Sequence, residues 1–163
     1  MTSFSITRLD DKDLAFVRAM LYEAAFWRSA VDRPPLEAAL SSPDLSLYVR
    51  DWGRPGDDGL IAWVDRGRAG AVWVRRFHND DHGYGYVDER TPELSIAVDA
   101  EHRGHGIGGC LVAAMLVQLR LQGTRQVSLS VEIDNPARQL YERHGFTPLT
   151  TTEGSVTMAR NLA

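Results

Sequence analysis

The stretch that most restricts what this chain can fold into is "SIAVDAEHRGHGIGGCLVAAMLVQLRL", residues 95 to 121. A β-type run ends, an arginine and four glycines follow, and a long apolar segment at helical spacing begins. The first N–H groups of a helix have no partner within it, so they concentrate partial positive charge that favours an anion. Glycine lets that anion approach the main chain without a Cβ in the way. The unit therefore reads as a strand, a phosphate-binding turn and a helix, and it can be spelled in two ways. Gly104, Gly106 and Gly109 give G-x-G-x-x-G, the dinucleotide fingerprint, with Glu132 about twenty residues further on. Arg103, Gly106 and Gly108 give R-x-x-G-x-G, in which the guanidinium adds a fixed cation. A dinucleotide site needs two halves of parallel sheet, and the short remainder of the chain ends in a hairpin pattern. A third reading leaves the glycines as a mere connection.

The surrounding pattern is that of an α/β chain with a mixed sheet. "FSITRL" (4–9) has strand character, and residues 11–27 place Leu14, Val17, Leu21 and Ala24/Ala25 at helical spacing behind an acidic first turn. "RPPLEAALSS" and "SPDLSLYVRDW" offer short proline-led helices, the second with Ser42 as N-cap. "GRPGDDG" (53–59) is expected to be loop throughout. "LIAWVD" and "GAVWVRRF" read as strands joined through "RGRA" in a hairpin, and residues 78–92 as a long polar loop. "ELSIAV" (93–98) is the central strand. Gly123 ends the glycine-led helix, and "QVSLSV" is the next strand. "NPARQLYERHGF" is a helix with Asn135 as N-cap, Pro136 at its first position and Gly145 closing it. "TPLTTTEGSVTMARN" forms a final hairpin. No repeat or low-complexity linker interrupts the pattern, so a single domain over 1–163 is expected.

Composition narrows the partners. A net charge of −4 argues against general attraction to nucleic acid or an anionic membrane. The first residues hold no apolar signal core, and "CLVAAMLV" is far shorter than the ~18 residues of a spanning helix, which gives a cytoplasmic expectation. The single cysteine, Cys110, lies in an apolar helical run and reads as a buried packing residue. "HNDDH" (78–82) has the composition of a metal site without a matching second cluster, so no metal is expected.

"IAVDAEHRGHGIGGCLV" followed by "LSVEIDNPARQLYERHGF" resembles the GNAT superfamily of N-acetyltransferases. The first segment carries that family's acyl-CoA turn at Arg103, Gly106 and Gly108. The second is similar to its strand, N-P-A, helix, Tyr and "GF" sequence. The likeness is strong over residues 93 to 147 and holds only in element order over the N-terminal half. It implies an α/β (α+β) GNAT fold: a mixed, mostly antiparallel sheet of six to seven strands, helices on both faces, and a splayed central strand pair. It also implies acetyl-CoA as co-substrate, no metal, and a primary amine of a small molecule or peptide as acceptor.

By that resemblance the main chain of Ile96, Ala97 and Val98 pairs with the pantetheine arm like a neighbouring strand. The amides from Arg103 through Gly104, His105, Gly106, Ile107, Gly108 and Gly109 hold the diphosphate, with the His105 side chain pointing outward. Asn135 faces the pantetheine or the leaving sulfur, besides capping its helix. Arg138 reaches a CoA phosphate or stands in solvent. Tyr141 protonates the departing thiolate, and Glu93 is the general base that accepts the amine's proton, directly or through water. An N–H near Ile96 or Ala97 meets the oxyanion. Alternation puts Glu93, Ser95 and Ala97 on one face of the strand, unless a bulge of the kind relatives have re-aims them. Phe26, Trp27 and Trp73 are candidates for the acceptor pocket, and the "YGY" of residues 84–86 for its gate. The acids Asp80, Asp81, Asp88 and Glu89 hint at a cationic acceptor.

Direct transfer within a ternary complex is the leading expectation. A non-catalytic acyl-CoA-binding sensor and a dinucleotide-dependent oxidoreductase are the alternatives. A homodimer through an exposed strand edge is also open.

Overall fold

Strand alternation divides the apolar residues between the two faces of one sheet. The computed structural model describes residues 3–28 and 31–163. Its strands are β1 (Ser5–Arg8), β2 (Asp58–Val64), β3 (Gly67–Arg75), β4 (Glu93–Val98), β5 (Gln126–Glu132), β6 (Thr147–Thr152) and β7 (Ser155–Asn161). They lie in the order β1-β2-β3-β4-β5-β7-β6, and only β4 and β5 run parallel. The helices are α1 (Leu14–Ala25), α2 (Leu36–Leu40), α3 (Pro43–Ser46), α4 (Ile107–Leu121) and α5 (Ala137–Arg143). On β3, Ala71 and Trp73 pack towards Val17, Leu21 and Leu40. Val72 and Val74 point the other way, towards Leu111 and Met115 of α4. This is the expected mixed architecture, and it rules out the doubly wound parallel sheet that a dinucleotide reading requires.

Local chemistry sets the element ends. Asp10 caps the turn before α1: its Oδ1 accepts from Lys12 N–H at 2.8 Å, and its own N–H donates to Asp13 Oδ2 at 2.9 Å. Gly123 and Gly145 close α4 and α5 at φ +82° and +83°, a region that favours glycine.

Three expectations need correction. Residues 58 and 59 belong to β2 rather than to a loop, because Asp58 is held from α4 by Gln118 and Gln122, at 2.6 and 2.7 Å. The hairpin turn is Asp65–Arg66, with Asp65 at φ +55°, so Arg68 and Ala69 already lie in β3. Cys110 is exposed, not buried. The helix α4 buries one face (Ile107, Leu111, Val112, Met115 and Leu116) and leaves Cys110, Val117 and Leu121 outside.

β4 and β5 meet at a single register pair, Glu93 with Ser128, where Ser128 N–H donates to Pro92 O at 3.0 Å. Beyond it they diverge, which is the expected splay. Beside this point Arg75, only 1% exposed, forms a buried pair with Asp57 and donates to the carbonyls of Leu47 and Arg50 at 2.9 and 2.6 Å. Removing one partner of such a pair leaves an uncompensated charge. Asp57→Ala is expected to lower stability by about 3–5 kcal/mol in a denaturant melt, and to loosen the turn that Arg75 holds.

Candidate active site

The splay exposes one edge of β4. Pro92 O bonds towards β5, and Asp99 N–H bonds to Ala69 O on the β3 side at 2.8 Å. Main-chain groups alternate along a strand, so those of Glu93, Ser95 and Ala97 face β3 while those of Ile96 and Val98 face the gap. The β3–β4 register runs unbroken from Arg75–Glu93 to Gly70–Val98, so the expected bulge is not in this pairing. Ala97 is thereby corrected: its N–H and C=O are engaged with β3, and only its side chain reaches the cavity. Ile96 turns both groups to the side where, among the described residues, no strand pairs with it. The gap widens into a cavity of about 830 Å³ lined by both strands, the end of α1, Arg103, Gly108 and α5.

At its far end stands the glycine turn. Gly104 and Gly106 adopt φ +80° and +83°, and a Cβ built on either meets nothing within 4 Å. Both conformations favour glycine, and the space beside these two residues is open. The N–H groups of Gly104, Gly106, Ile107, Gly108 and Gly109 have no acceptor among the described residues, and Cys110 N–H is the first to be bonded, to Gly106 O at 3.2 Å. Arg103 Nε donates to Val98 O at 3.0 Å, tying the turn to the end of β4, and its Nη2 lies 3.6 Å from Glu23. His105 lies on the exposed side, and Ile107 sends its side chain into the core. Free donors, open space beside the glycines and a guanidinium tied to the end of β4 suit the diphosphate of an acyl-CoA.

Glu93 opens β4 and is 3% exposed. Its Oε2 accepts from the Tyr48 hydroxyl at 2.6 Å and its Oε1 from Gly85 N–H at 3.0 Å. Burial pushes its carboxyl up to about 7, against the opposing effect of the Tyr48 and Gly85 bonds and of His82. Tyr48 carries no sequence motif and was not anticipated; the contact joins residues 45 positions apart. Gly83 carries no motif either, whereas Gly85 belongs to the "YGY" of residues 84–86. A Cβ on Gly83 would lie 2.4 Å from the Tyr48 hydroxyl, and one on Gly85 2.6 Å from the carbonyl carbon of Leu129. The "YGY" loop is stitched down rather than loose: Ser128 Oγ donates to Gly85 O at 2.6 Å, and Tyr84 N–H to the Tyr48 hydroxyl at 2.9 Å.

Across the cavity, Asn135 Oδ1 accepts Ala137 N–H at 2.9 Å, so it caps α5 while lining the space. Tyr141, two turns of chain further on, also lines it; its hydroxyl has no hydrogen-bond partner among the described residues, and burial pushes the phenol up to about 12. Phe26 and Trp27 line the cavity. Trp73 does not: it is 1% exposed, in the core, with Nε1 donating to Tyr48 O at 3.2 Å. Arg138 pairs with Glu142 at 2.9 Å and is outside the cavity lining. The acids of the 78–91 loop are elsewhere too: Asp81 pairs with Arg50, and Glu89 faces His78. No cluster of metal-ligating side chains is found among the described residues, and no helix among them is long and apolar enough to cross a membrane.

The family model for the acetyltransferase (GNAT) domain matches residues 55–148, more than half of the chain. The chain belongs to the GNAT acetyltransferase family. Among solved structures, this GNAT chain is similar to an N-acetyltransferase from Staphylococcus aureus Mu50, with a TM-score of 0.73, 18% identity and coverage of 99% of this chain and 100% of that one. It is similar as well to the PaiA N-acetyltransferase of Thermoplasma acidophilum in complex with coenzyme A, at TM-score 0.72, 19% identity, and coverage of 98% and 99%. These likenesses speak to the fold. Among curated proteins it is 33% identical over 120 residues to the mycothiol acetyltransferase of Brachybacterium faecium, covering 73% of this chain and 34% of that protein. It is 35% identical over 117 residues to the one of Actinosynnema mirum, covering 69% and 36%. The chain thus spans about a third of the length of these relatives.

Gly108 separates binding from folding. A Cβ there enters the cavity at ordinary contact distances, 3.5 Å from Leu140 and 3.7 Å from Val98. Alanine is also the better helix former by about 1 kcal/mol. Gly108→Ala is expected to keep or raise the melting temperature while CoA affinity, read by calorimetry, falls roughly tenfold through loss of one hydrogen bond to a charged group.

Proposed function

We propose that this protein transfers the acetyl group of acetyl-CoA to a primary amine by direct attack in a ternary complex. The observation that carries the reading is the placement of Glu93 and Tyr141 on one cavity. Burial puts one near neutrality, ready to take a proton, and holds the other protonated. The turn from Arg103 to Gly109 would hold the diphosphate, and the free edge of β4 at Ile96 would pair with the pantetheine amides. Asn135 and Tyr141 line the same space from α5.

An aliphatic ammonium, with a pKa near 10, cannot attack until it loses a proton. Glu93 accepts that proton, directly or through a water. The amine nitrogen then bonds to the acetyl carbon, and the Ile96 N–H would meet the charge that develops on the carbonyl oxygen, leaving the Ile96 carbonyl for the pantetheine amide. As the carbon–sulfur bond breaks, Tyr141 donates its proton to the sulfur, and the second proton leaving the nitrogen restores the phenol. No acyl-enzyme step is needed, and Cys110 is exposed on α4 rather than in the cavity lining.

The mycothiol acetyltransferases are about twice as long as this chain, which matches only about a third of them, so their acceptor is not carried over to it. Aromatic Phe26 and Trp27, with Asp44 and Tyr84 on the cavity wall, favour an amine carried on an apolar or cationic body. A panel of polyamines, amino acids, aminoglycosides and N-terminal peptides, assayed by CoA release, tests the class. With the best acceptor, kcat/KM should fall below about pH 7 as Glu93 becomes protonated. Glu93→Gln and Tyr141→Phe should each lower kcat by roughly 10²–10⁴-fold with little change in acetyl-CoA affinity. Full turnover in both variants would remove Glu93 and Tyr141 from the mechanism, and acetyl-CoA binding without CoA release for any amine of the panel would return the protein to a role in binding alone.

A further inference from the structure

We propose that Tyr48 is a positioning residue of the transfer site: pinned by Tyr84 N–H, its hydroxyl fixes Glu93 so that the carboxylate's remaining lone pairs serve as the proton acceptor. The proposal rests on the reading of Glu93 as base given above and extends it to a residue that touches neither CoA turn nor acceptor helix.

The direction of the bonds is forced. A phenol has one proton, and Tyr84 N–H, 2.9 Å from the Tyr48 oxygen, can only donate to it. The Tyr48 proton therefore goes to Glu93 Oε2 at 2.6 Å, while Gly85 N–H occupies Oε1 at 3.0 Å. Both carboxylate oxygens receive fixed donors, an arrangement that favours the ionised form. A proton arriving at Glu93 must then occupy one of the lone pairs these donors leave open.

Tyr48 is itself over-determined. Trp73 Nε1 donates to its carbonyl at 3.2 Å, Arg75 holds the carbonyls of Leu47 and Arg50, and Phe77 meets its ring edge-on at 5.6 Å between centroids. The 83–85 loop passes so close that a Cβ on Gly83 would lie 2.6 Å from Glu93 Oε1. These constraints would be excessive for a side chain that merely filled the core, which has no need of a hydroxyl aimed at a buried carboxylate.

Other groups facing Glu93 are accounted for. From β3, Arg75 is its register partner, but the guanidinium is bound to Asp57 at 2.9 and 2.8 Å. From β5, Ser128 directs its hydroxyl to Gly85 O. From the loop, His82 acts at longer range, with its ring stacked on Tyr86 at 4.3 Å and Nδ1 at 2.9 Å from Gly83 O. Among the described residues, Tyr48 is the one side chain that donates to the carboxylate.

The test compares pH profiles of kcat/KM for the unaltered protein, Tyr48→Phe and Glu93→Gln, with acetyl-CoA and the best amine of the panel. Loss of a hydrogen bond to a charged group should move the acid limb of Tyr48→Phe up by about one pH unit. Activity on that limb then falls roughly tenfold, recovers at higher pH, and the acetyl-CoA KM is unchanged. Site-specific 3-fluorotyrosine at position 48, a stronger donor of nearly the same shape, should move the limb down and keeps the test valid if Tyr48→Phe does not fold. An inactive Glu93→Gln with acid limbs of both position-48 variants superimposed on the unaltered protein would overturn the role of Tyr48 and leave the base in place. Unaltered turnover in Glu93→Gln would remove the base itself and this proposal with it.

Discussion

The rest of the structure depends on the place where β4 and β5 touch only once. A continued parallel ladder between them would have satisfied the main chain of Ile96 and Val98 and closed the sheet. Instead the strands pair at Glu93 and Ser128, and the 83–85 loop is bonded to both at that point. Gly85 donates to Glu93 on β4 and accepts from Ser128 on β5, with its backbone pressed against Leu129 and Ser130 so closely that no side chain fits. The loop thus closes one end of the gap and anchors Glu93, while the other end stays open. The open edge of β4 and the buried carboxyl come from the same discontinuity.

The two titrating groups owe their opposite states to different surroundings. Glu93 is buried yet met by two donors, so desolvation and hydrogen bonding oppose one another and the carboxyl settles near neutrality. Tyr141 is buried with no donor or acceptor among the described residues, so desolvation acts alone and the phenol is held at about 12. One group is thereby suited to receive a proton and the other to give one, although the chain as a whole is only mildly acidic.

Much of this site could be read in the sequence because its parts are local. Residues 93–98 form β4 as expected, Gly106 opens α4 in a left-handed conformation, and Asn135 caps α5, since each is decided by a few neighbouring residues. The errors lie where a neighbour distant in sequence decides. The apolar run of α4 reads as buried all round, yet only one face meets the sheet and Cys110 lies outside it. Trp73 reads as a pocket residue, but alternation turns it into the core with Ala71. The resemblance assigns Ala97 a main-chain role that the register with Ala71 takes away. Tyr48 lies in a stretch legible only as a short helix, and nothing near it in the chain points to Glu93.

The ion pairs around the cleft are exposed to solvent. Arg103, half exposed, stands 3.6 Å from Glu23 of α1, beyond hydrogen-bond length. Arg28, just past α1, reaches Glu132 and Asp134 at the other side, at 2.7 and 2.6 Å, with solvent on all three side chains. Exposed pairs add little to stability because water and salt screen them. A phosphate could therefore take over Arg103 without disturbing the fold, whereas the buried Arg75–Asp57 pair, which fixes the turn holding Tyr48, admits no such exchange. Rigidity is concentrated behind Glu93, and the mouth through which a charged ligand must pass is left loosely tied.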